Sequence, residues 1–313
     1  MQKVILDCDP GLDDAVAIMM LLGAAEKIDL LGVTTVAGNV GLEAVYQNAR
    51  NLCSLASRED IPVFSGCAHS IMGKRVRAAE VHGSDGVGGV KLPHSTREHD
   101  TAHSVDFIID QCMEADEKSL ILCPTGPMTN IAVALLKAPE IEDKIKEIVF
   151  MGGAAFCAGN CTPAAEFNIY ADPHAAQIVM QANIKKTMLG LDVTHQTPCT
   201  LERLDKLRAI NTEPSRAIAA MMESYRELVM KRDHGQNDCM MHDPCVVAYV
   251  LAPELFKGRE LFVEVDTNTG PSMGKTIVDG LTVSRKEPNV NVIETIDAEG
   301  FYELLYSCLR ELG

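Results

Sequence analysis

The 313-residue sequence contains no tryptophan, and aromatic residues make up only 4% of it. This scarcity disfavours a platform for single-stranded nucleic acid, in which bases stack on aromatic rings. Basic residues are also few, 28 against 44 acidic ones, and the formal net charge of −16 opposes binding to nucleic-acid phosphates or anionic lipid. A cation or an uncharged small molecule is therefore the better partner for this chain.

The sequence also lacks a hydrophobic run long enough to cross a membrane. The longest run, residues 15–25, falls short of the roughly 18–20 residues that a spanning helix needs. The chain opens directly on a strand-like segment, without the basic region and cleavage site that are typical of a secretory signal. We therefore expect a cytoplasmic protein with no membrane partner.

Cysteine is plentiful but follows no disulfide framework. The eleven cysteines are scattered, their number is odd, and several lie in apolar stretches, which is typical of buried thiols in a reducing compartment. Cys157 and Cys161 form a single C-x3-C pair. Because no further soft ligands follow at zinc spacing, the pair does not predict a structural zinc site, and we assign it no function.

Strand-like and helix-like segments alternate along the chain. Strand-like runs cover residues 4–6, 30–36, 119–123, 147–151 and 187–191, and helical patterns begin near 12 and cover 42–57, 128–136 and 172–183. Helical patterns dominate 201–251, followed by strand-like pieces at 260–265, 276–283 and 290–295 and a C-terminal helix. Nearly continuous apolar strands joined by helices predict an α/β fold, with a mostly parallel sheet covered on both faces. Since no change of composition marks a linker, we expect one domain over residues 1–313.

Glycines and short polar side chains follow the predicted strands. They include Asn39, Thr125, Asn130, Asn160, Glu166 and Asn168. In open α/β sheets, ligands bind beyond the carboxyl ends of the strands, so these side chains are expected to converge on one rim. Two stretches, 71–100 and 231–241, fit neither helix nor strand; long loops of this kind are functional lids or disordered segments, and both readings stay open for the first.

The first strand is followed by a crowd of acidic residues in "DCDPGLDDA", at positions 7–15. In a structural reading, Asp9 caps the helix, Pro10 starts it, and Asp13 and Asp14 complement its positive end. In a functional reading, Asp9 and Asp14 share a hard cation, since Ca²⁺ and Mg²⁺ prefer carboxylate and carbonyl oxygens. A bound cation would relieve the repulsion among these aspartates.

A second acidic helix start lies in "MMHDPCVVAYV", where His242 and Asp243 precede Pro244. The structural reading makes Asp243 a helix cap with a neighbouring structural histidine. The functional reading lets one cation use both acidic segments, because "HDP" repeats the arrangement of "CDP".

Eight segments of the chain, in order and nearly end to end, resemble the inosine–uridine-preferring nucleoside hydrolase family. They are "DCDPGLDDA" (7–15), "TTVAGN" (34–39), "VHGSDG" (81–86), "PTGPMTNIA" (124–132), "VFMGGA" (149–154), "GNCTPAAEFNIYADP" (159–173), "GLDVTH" (190–195) and "HDPCVVAYV" (242–250). The resemblance implies a Rossmann-like, mostly parallel mixed sheet with helices on both faces, and a dimer or tetramer. It also implies a nucleoside substrate whose N-glycosidic bond is hydrolysed.

The resemblance further implies a set of site residues. It assigns Ca²⁺ to Asp9, Asp14, the backbone carbonyl of Thr125 and Asp243. It assigns ribose to Asp13, Asn39, Asn160, Glu166, Asn168 and Asp243. It makes Asp9 the general base, and it places His242 and, on the loop, His82 on the side of the leaving base. Breaking such a bond passes through an oxocarbenium-like sugar, which nearby acids stabilise, while a histidine can protonate the departing base.

Residues 226–241 depart from the family pattern, which often places an aromatic residue near the base. Only Tyr225 and His234 are candidates for that position, so the choice between pyrimidine and purine bases stays open. Two other functions also stay open. The D-x-D opening resembles a haloacid-dehalogenase-type phosphatase with Asp7 as nucleophile, although Gly11 stands where those enzymes carry threonine. A non-catalytic nucleoside- or ribose-binding protein would use the same fold.

Overall fold

The computed structural model describes residues 1–73, 83, 85–232 and 238–313. Within these residues the strands are β1 (Gln2–Cys8), β2 (Ile28–Thr35), β3 (Val63–Ser65), β4 (Leu120–Pro124), β5 (Ile145–Met151), β6 (Lys186–Leu189), β7 (Phe256–Leu261), β8 (Val263–Val265), β9 (Thr276–Val278) and β10 (Val290–Ile296). The helices are α1 (Leu12–Gly23), α2 (Leu42–Leu55), α3 (Ser104–Glu114), α4 (Thr129–Lys137), α5 (Phe167–Ala171), α6 (Pro173–Gln181), α7 (Leu191–Thr194), α8 (Leu201–Ile210), α9 (Glu213–Arg232), α10 (Pro244–Leu251) and α11 (Ala298–Arg310), with 3-10 turns at Pro139–Asp143 and Pro253–Leu255.

An eight-stranded sheet in the order β3-β2-β1-β4-β5-β6-β10-β7 forms the centre of the fold. Every neighbouring pair in it is parallel except β7 and β10, which are antiparallel. Strands β8 and β9 form a separate antiparallel pair. The prediction of a mostly parallel, mixed sheet is therefore confirmed.

Helices cover both faces of this sheet because the strands are apolar on both sides. Successive residues of β1 point to opposite faces, so Leu6 packs in one buried cluster and Ile5 in the other. Helices α1, α10 and α11 contribute to the first cluster, and α3, α4 and α6 to the second. No helix among the described residues combines the length and apolar character that crossing a bilayer would require.

Two strand predictions were wrong in detail. The segment 260–265 belongs to two sheets, because β7 pairs with β10 whereas β8 pairs with β9. The segment 276–283 leaves the extended conformation after Val278, since the Asp279 carboxylate accepts the N–H groups of Val283 and Ser284 and closes a turn. The short strand β3 and helix α3 were not predicted.

The sheet changes direction between β1 and β4, and this feature positions the candidate site. From β1, the chain runs outward through β2 and β3 on one side and through β4, β5 and β6 on the other. Connections that leave in opposite directions open a crevice at the carboxyl ends of the two central strands. The segments that follow Cys8 and Pro124 therefore face each other across this crevice.

Candidate active site

The acidic segment after β1 turns sharply into α1. Gly11, rather than Asp9, occupies the N-cap position, so the reading of Asp9 as the helix cap was wrong. The Asp14 carboxylate accepts the Gly11 N–H at 2.9 Å and so completes the first turn of α1. Asp14 therefore has a structural role as well as any role in binding.

Asp9 is buried and held so that one carboxylate oxygen has no hydrogen-bond partner. Its Oδ2 atom accepts the backbone N–H of Asn39 at 2.7 Å, whereas no described atom hydrogen bonds to its Oδ1. Gly38 and Gly126 flank the carboxylate so closely that a Cβ atom at either position would overlap it. A buried acceptor oxygen without a partner is costly, so this atom is suited to a ligand.

Asp13, Asp14 and Asp243 form a compact buried acidic group. One carboxylate oxygen from each lies within 4.8 Å of the other two, which is close enough to hold a metal ion. Asp243 stands at the N-cap position of α10, but its side chain makes no capping hydrogen bond. Burial and the neighbouring aspartates raise the pKa values of Asp13, to about 7, and of Asp243.

The donor atoms around this group suit a hard cation. Thr125 donates its hydroxyl to Asp14 at 2.9 Å, and its backbone carbonyl is also at the site, where it accepts the Asn168 side-chain amide at 2.7 Å. The ion pairs formed among the described residues include none of the four aspartates at positions 9, 13, 14 and 243. Buried carboxylates without a basic partner, together with oxygen donors, are typical of Ca²⁺ or Mg²⁺ sites.

Glu166 and Asn168 lie beside this group at the start of α5. Glu166 caps the helix, accepting the Asn168 N–H at 2.9 Å, and its carboxylate also accepts the Gly153 N–H at 2.9 Å. Burial nevertheless raises the pKa of Glu166 to about 7. Asn160 is exposed on the preceding loop, where its side-chain oxygen accepts the Phe167 N–H at 3.0 Å.

His242 is a proposed leaving-group histidine that lies among the described residues. His242 Nδ1 lies 2.8 Å from the Thr194 hydroxyl, and the His242 ring contacts that of His195 edge-on at 5.9 Å between centroids. His82 and His234 lie outside the described residues. Tyr225 is buried near the acidic group, and its pKa is raised by burial and by the charges of Asp13 and Asp243.

The arrangement disfavours Asp7 as a nucleophile and adds Thr194 to the site. Asp7 is fully buried and its Oδ2, like Asp9 Oδ1, has no partner among the described residues, but its Oδ1 accepts the Thr34 hydroxyl at 2.6 Å and the Asn130 amide at 2.8 Å, so it ties strand ends together. Sequence reasoning did not assign a role to Thr194. Its place in the polar segment that follows β6, at the end of α7, was the available signal.

The chain is similar to known proteins over nearly its whole length. The model of the inosine-uridine preferring nucleoside hydrolase family matches residues 4–303. An uncharacterized protein of Schizosaccharomyces pombe is 40% identical over 310 residues, covering 99% of each chain. The pyrimidine-specific ribonucleoside hydrolase RihB of Escherichia coli O9:H4 is 40% identical over 309 residues, covering 99% of this chain and 97% of its own.

Solved structures of nucleoside hydrolases also superpose on this chain. A purine-preferring ribonucleoside hydrolase from Gardnerella vaginalis superposes with a TM-score of 0.92 at 36% identity, and the plant nucleoside hydrolase PpNRh1 with a TM-score of 0.91 at 31% identity. Each match covers 99% of both chains. The named base preferences of these similar proteins differ, so overall similarity does not fix the base that is preferred here.

Proposed function

Because this chain belongs to the inosine-uridine preferring nucleoside hydrolase family, and is thus an N-glycosidase, we propose that it is a Ca²⁺-dependent ribonucleoside hydrolase. Its substrates are uridine and cytidine, inosine, or both classes, which it splits into ribose and free base in nucleoside salvage or catabolism. The observation that carries this proposal is the buried acidic group beside the unpartnered Asp9 oxygen, at the crevice between β1 and β4.

The proposed ligands of Ca²⁺ are Asp9, Asp14, Asp243 and the backbone carbonyl of Thr125. The all-oxygen donor set and the burial of the three carboxylates support this choice. When bound, Ca²⁺ supplies positive charge that orients a water molecule and lowers its pKa. Asp13 completes the compact acidic group and, in the family's pattern, also faces the ribose.

Asp9 is proposed as the general base. Its Oδ2 is fixed by the Asn39 N–H, which leaves Oδ1 to accept the proton of the attacking water. The two flanking glycines, Gly38 and Gly126, let the backbone pack closely against the carboxylate, because a Cβ atom at either position would overlap it. The chain therefore holds this base in one orientation.

The proposed ribose contacts are Asp13, Asn39, Asn160, Glu166, Asn168 and Asp243. As the glycosidic bond breaks, the sugar gains oxocarbenium character, and buried carboxylates beside it stabilise the developing positive charge. Glu166 is suited to this task because three backbone N–H groups, those of Gly153, Asn168 and Ile169, fix its carboxylate.

The departing base needs a proton, and His242 is the proposed donor, with His82 as a second candidate. The Thr194 hydroxyl at 2.8 Å from Nδ1 supports this role, because a hydrogen bond to one ring nitrogen fixes the orientation of the imidazole. Pyrimidine and purine bases both leave poorly as anions, so general acid help is worth about 10²–10⁴-fold in rate.

We further propose that the protein is cytoplasmic and forms a dimer or tetramer. All eleven cysteines are free thiols, which supports a reducing compartment. Light scattering on the purified protein would test the assembly, and a monomeric mass would contradict it.

The decisive experiment measures ribose released from a panel that includes uridine, cytidine and inosine. Release of ribose with the matching free base supports the proposal. Phosphate release from phosphomonoesters without ribose release would favour a phosphatase. Tight nucleoside binding without any product would favour a non-catalytic binding protein.

A further inference from the structure

The loop between β5 and α5 carries two of the proposed ribose contacts, Asn160 and Glu166. We name residues 152–166 the ribose loop. At its start, the Gly152 N–H donates to the Leu189 carbonyl of β6 at 3.4 Å, and the Gly153 carbonyl accepts the Leu191 N–H at 2.9 Å. Farther along the loop, other groups must satisfy its backbone. The hydrogen bonds that hold this loop therefore also determine the positions of the two ribose contacts. We call the groups that make these bonds its fixed points.

One of these fixed points is a single hydroxyl from a distant segment. Thr276, at the start of β9, accepts the N–H of Ala154 at 3.0 Å and donates to the Ala154 carbonyl at 2.7 Å. Both residues are buried, with 1% and 2% of their surface exposed. One side chain thus satisfies both backbone groups of a residue that is 122 positions away.

Gly153 permits this close approach. Its φ of +85° is a conformation that side chains rarely adopt, and a Cβ atom there would lie 2.8 Å from Thr276 Cγ2. The N–H of Gly153 in turn donates to the Glu166 carboxylate at 2.9 Å. Thr276 is therefore connected to a proposed ribose contact, Glu166, through Ala154 and Gly153.

The same hairpin also packs on the far end of the ribose loop. Gly274, with a φ of +79°, lies so close to α5 that a Cβ atom would come within 2.8 Å of Tyr170 Cα. The other strand is anchored on α6, where Gln177 accepts the N–H of Val265 at 2.7 Å. The β8–β9 pair thus contacts the start of the ribose loop and the helix that follows it.

A second anchor, Asp192, also holds the start of the ribose loop. The Asp192 carboxylate accepts the N–H groups of Ala155 at 2.7 Å and Phe156 at 2.8 Å from the side of α7. Removing the Thr276 hydroxyl should therefore shift the loop rather than release it. A graded loss of function is expected, not a complete one.

We propose that the β8–β9 hairpin is a clamp on the ribose loop, and that Thr276 is a positioning residue that fixes Glu166 through Gly153. The proposal rests on the function given above, since it assigns the ribose side of that site. Thr276 acts on the part of the substrate that all ribonucleosides share. Removing the Thr276 hydroxyl should therefore lower kcat/KM by the same factor whatever the leaving base.

The test compares Thr276→Val with Thr276→Ser. Valine keeps the shape of threonine without the hydroxyl, whereas serine keeps the hydroxyl. We expect kcat/KM to fall about tenfold to a hundredfold in Thr276→Val, equally for uridine, inosine and p-nitrophenyl riboside, because small misplacements of contacts cost that much. Inhibition by free ribose should weaken and inhibition by free base should not. Thr276→Ser should retain most activity.

Thr269→Val is the matched control, since it makes the same chemical change at an exposed site on the same hairpin. It should match the wild type. Amide exchange at Ala154 gives a readout that needs no activity: it should accelerate about tenfold or more in Thr276→Val. Thr276→Ala provides a smaller side chain if the valine variant does not fold.

Equal behaviour of the valine and serine variants in both kinetics and exchange would overturn the clamp, as would a loss that depends on the leaving group. Failure of the proposed function would look different. The wild type itself would then release no ribose, while the exchange comparison at Ala154 would still decide whether the hairpin holds the loop.

Discussion

At the scale of single residues, the site depends on which polar atoms are already satisfied. Asp9 has one oxygen held by Asn39 and one without a partner, whereas both Glu166 oxygens accept backbone N–H groups. The first carboxylate is therefore free to exchange a proton with a ligand. The second is fixed as a stationary charge or acceptor.

Replacing Asp9 by asparagine tests the base directly. The amide keeps an oxygen for ligation but cannot take a proton, so kcat should fall about a hundredfold or more, with a smaller change in substrate binding. Steady-state kinetics with metal analysis of each preparation gives the answer. A folded, metal-loaded Asp9→Asn protein with nearly normal kcat would remove Asp9 from this role.

Replacing His242 distinguishes a structural from a chemical function. Only a chemical function makes the loss of activity depend on the leaving group. His242→Ala should lose about 10²–10⁴-fold on inosine and uridine but keep most activity on p-nitrophenyl riboside, whose leaving group is a stable anion. Metal content must match the wild type, because Asp243 is adjacent. Equal losses on both substrate types would indicate that His242 only supports the start of α10.

Glu166 predicts a pH dependence of stability. Burial raises its folded pKa from 4.5 to about 7, so the folded state binds this proton more tightly than the unfolded state. The stabilisation that this proton gives the folded state is complete below pH 4.5 and is lost as the pH rises toward 7. The free energy of unfolding of the wild type relative to Glu166→Gln should therefore decrease by about 3 kcal/mol across that window.

Denaturant unfolding of both proteins at several pH values measures this difference. Glutamine also perturbs the backbone hydrogen bonds, but that offset does not vary with pH. A wild-type-minus-variant difference that stays constant between pH 4.5 and 7 would contradict the raised pKa.

At the scale of elements, the sequence predicted what local patterns encode. The apolar runs of β2 and β4 and the polar residues that follow them, such as Asn39 and Thr125, predicted a site at one rim of a parallel sheet. The Thr276–Ala154 contact could not be predicted in this way, because its partners are 122 residues apart and Thr276 belongs to none of the recognised segments. The cap of α1 was misassigned because Asp9 and Gly11 both fit the local preference.

Helix α1 combines a structural and a binding role in Asp14. Asp14→Ala removes a carboxylate from the acidic group and leaves the Gly11 N–H without its acceptor. We expect loss of Ca²⁺ binding and of activity, with a loss of about 1 kcal/mol from the cap itself. Metal analysis after dialysis against Ca²⁺ is the measurement. An Asp14→Ala protein that still binds one Ca²⁺ and hydrolyses nucleosides would exclude Asp14 from the ligands.

At the scale of the whole molecule, the proposed ion joins α1 near one end of the chain to α10 near the other. Chelation should therefore lower the thermal stability of the entire protein, and Ca²⁺ at about a hundred times its Kd should restore about 2.7 kcal/mol. Calorimetry with and without chelator, alongside activity, measures both effects. Full activity and an unchanged melting temperature in demonstrably metal-free protein would refute Ca²⁺ dependence.

The distance along the chain between Asp14 and Asp243 also affects how the protein is made. During synthesis, the acidic residues of α1 leave the ribosome long before Asp243 does, so the nascent chain carries them without the residue that completes the group. The hairpin that contacts the ribose loop emerges later still. A growing chain thus contains β1 to β4 well before α10, and it gains a complete site only after most of its length has been translated.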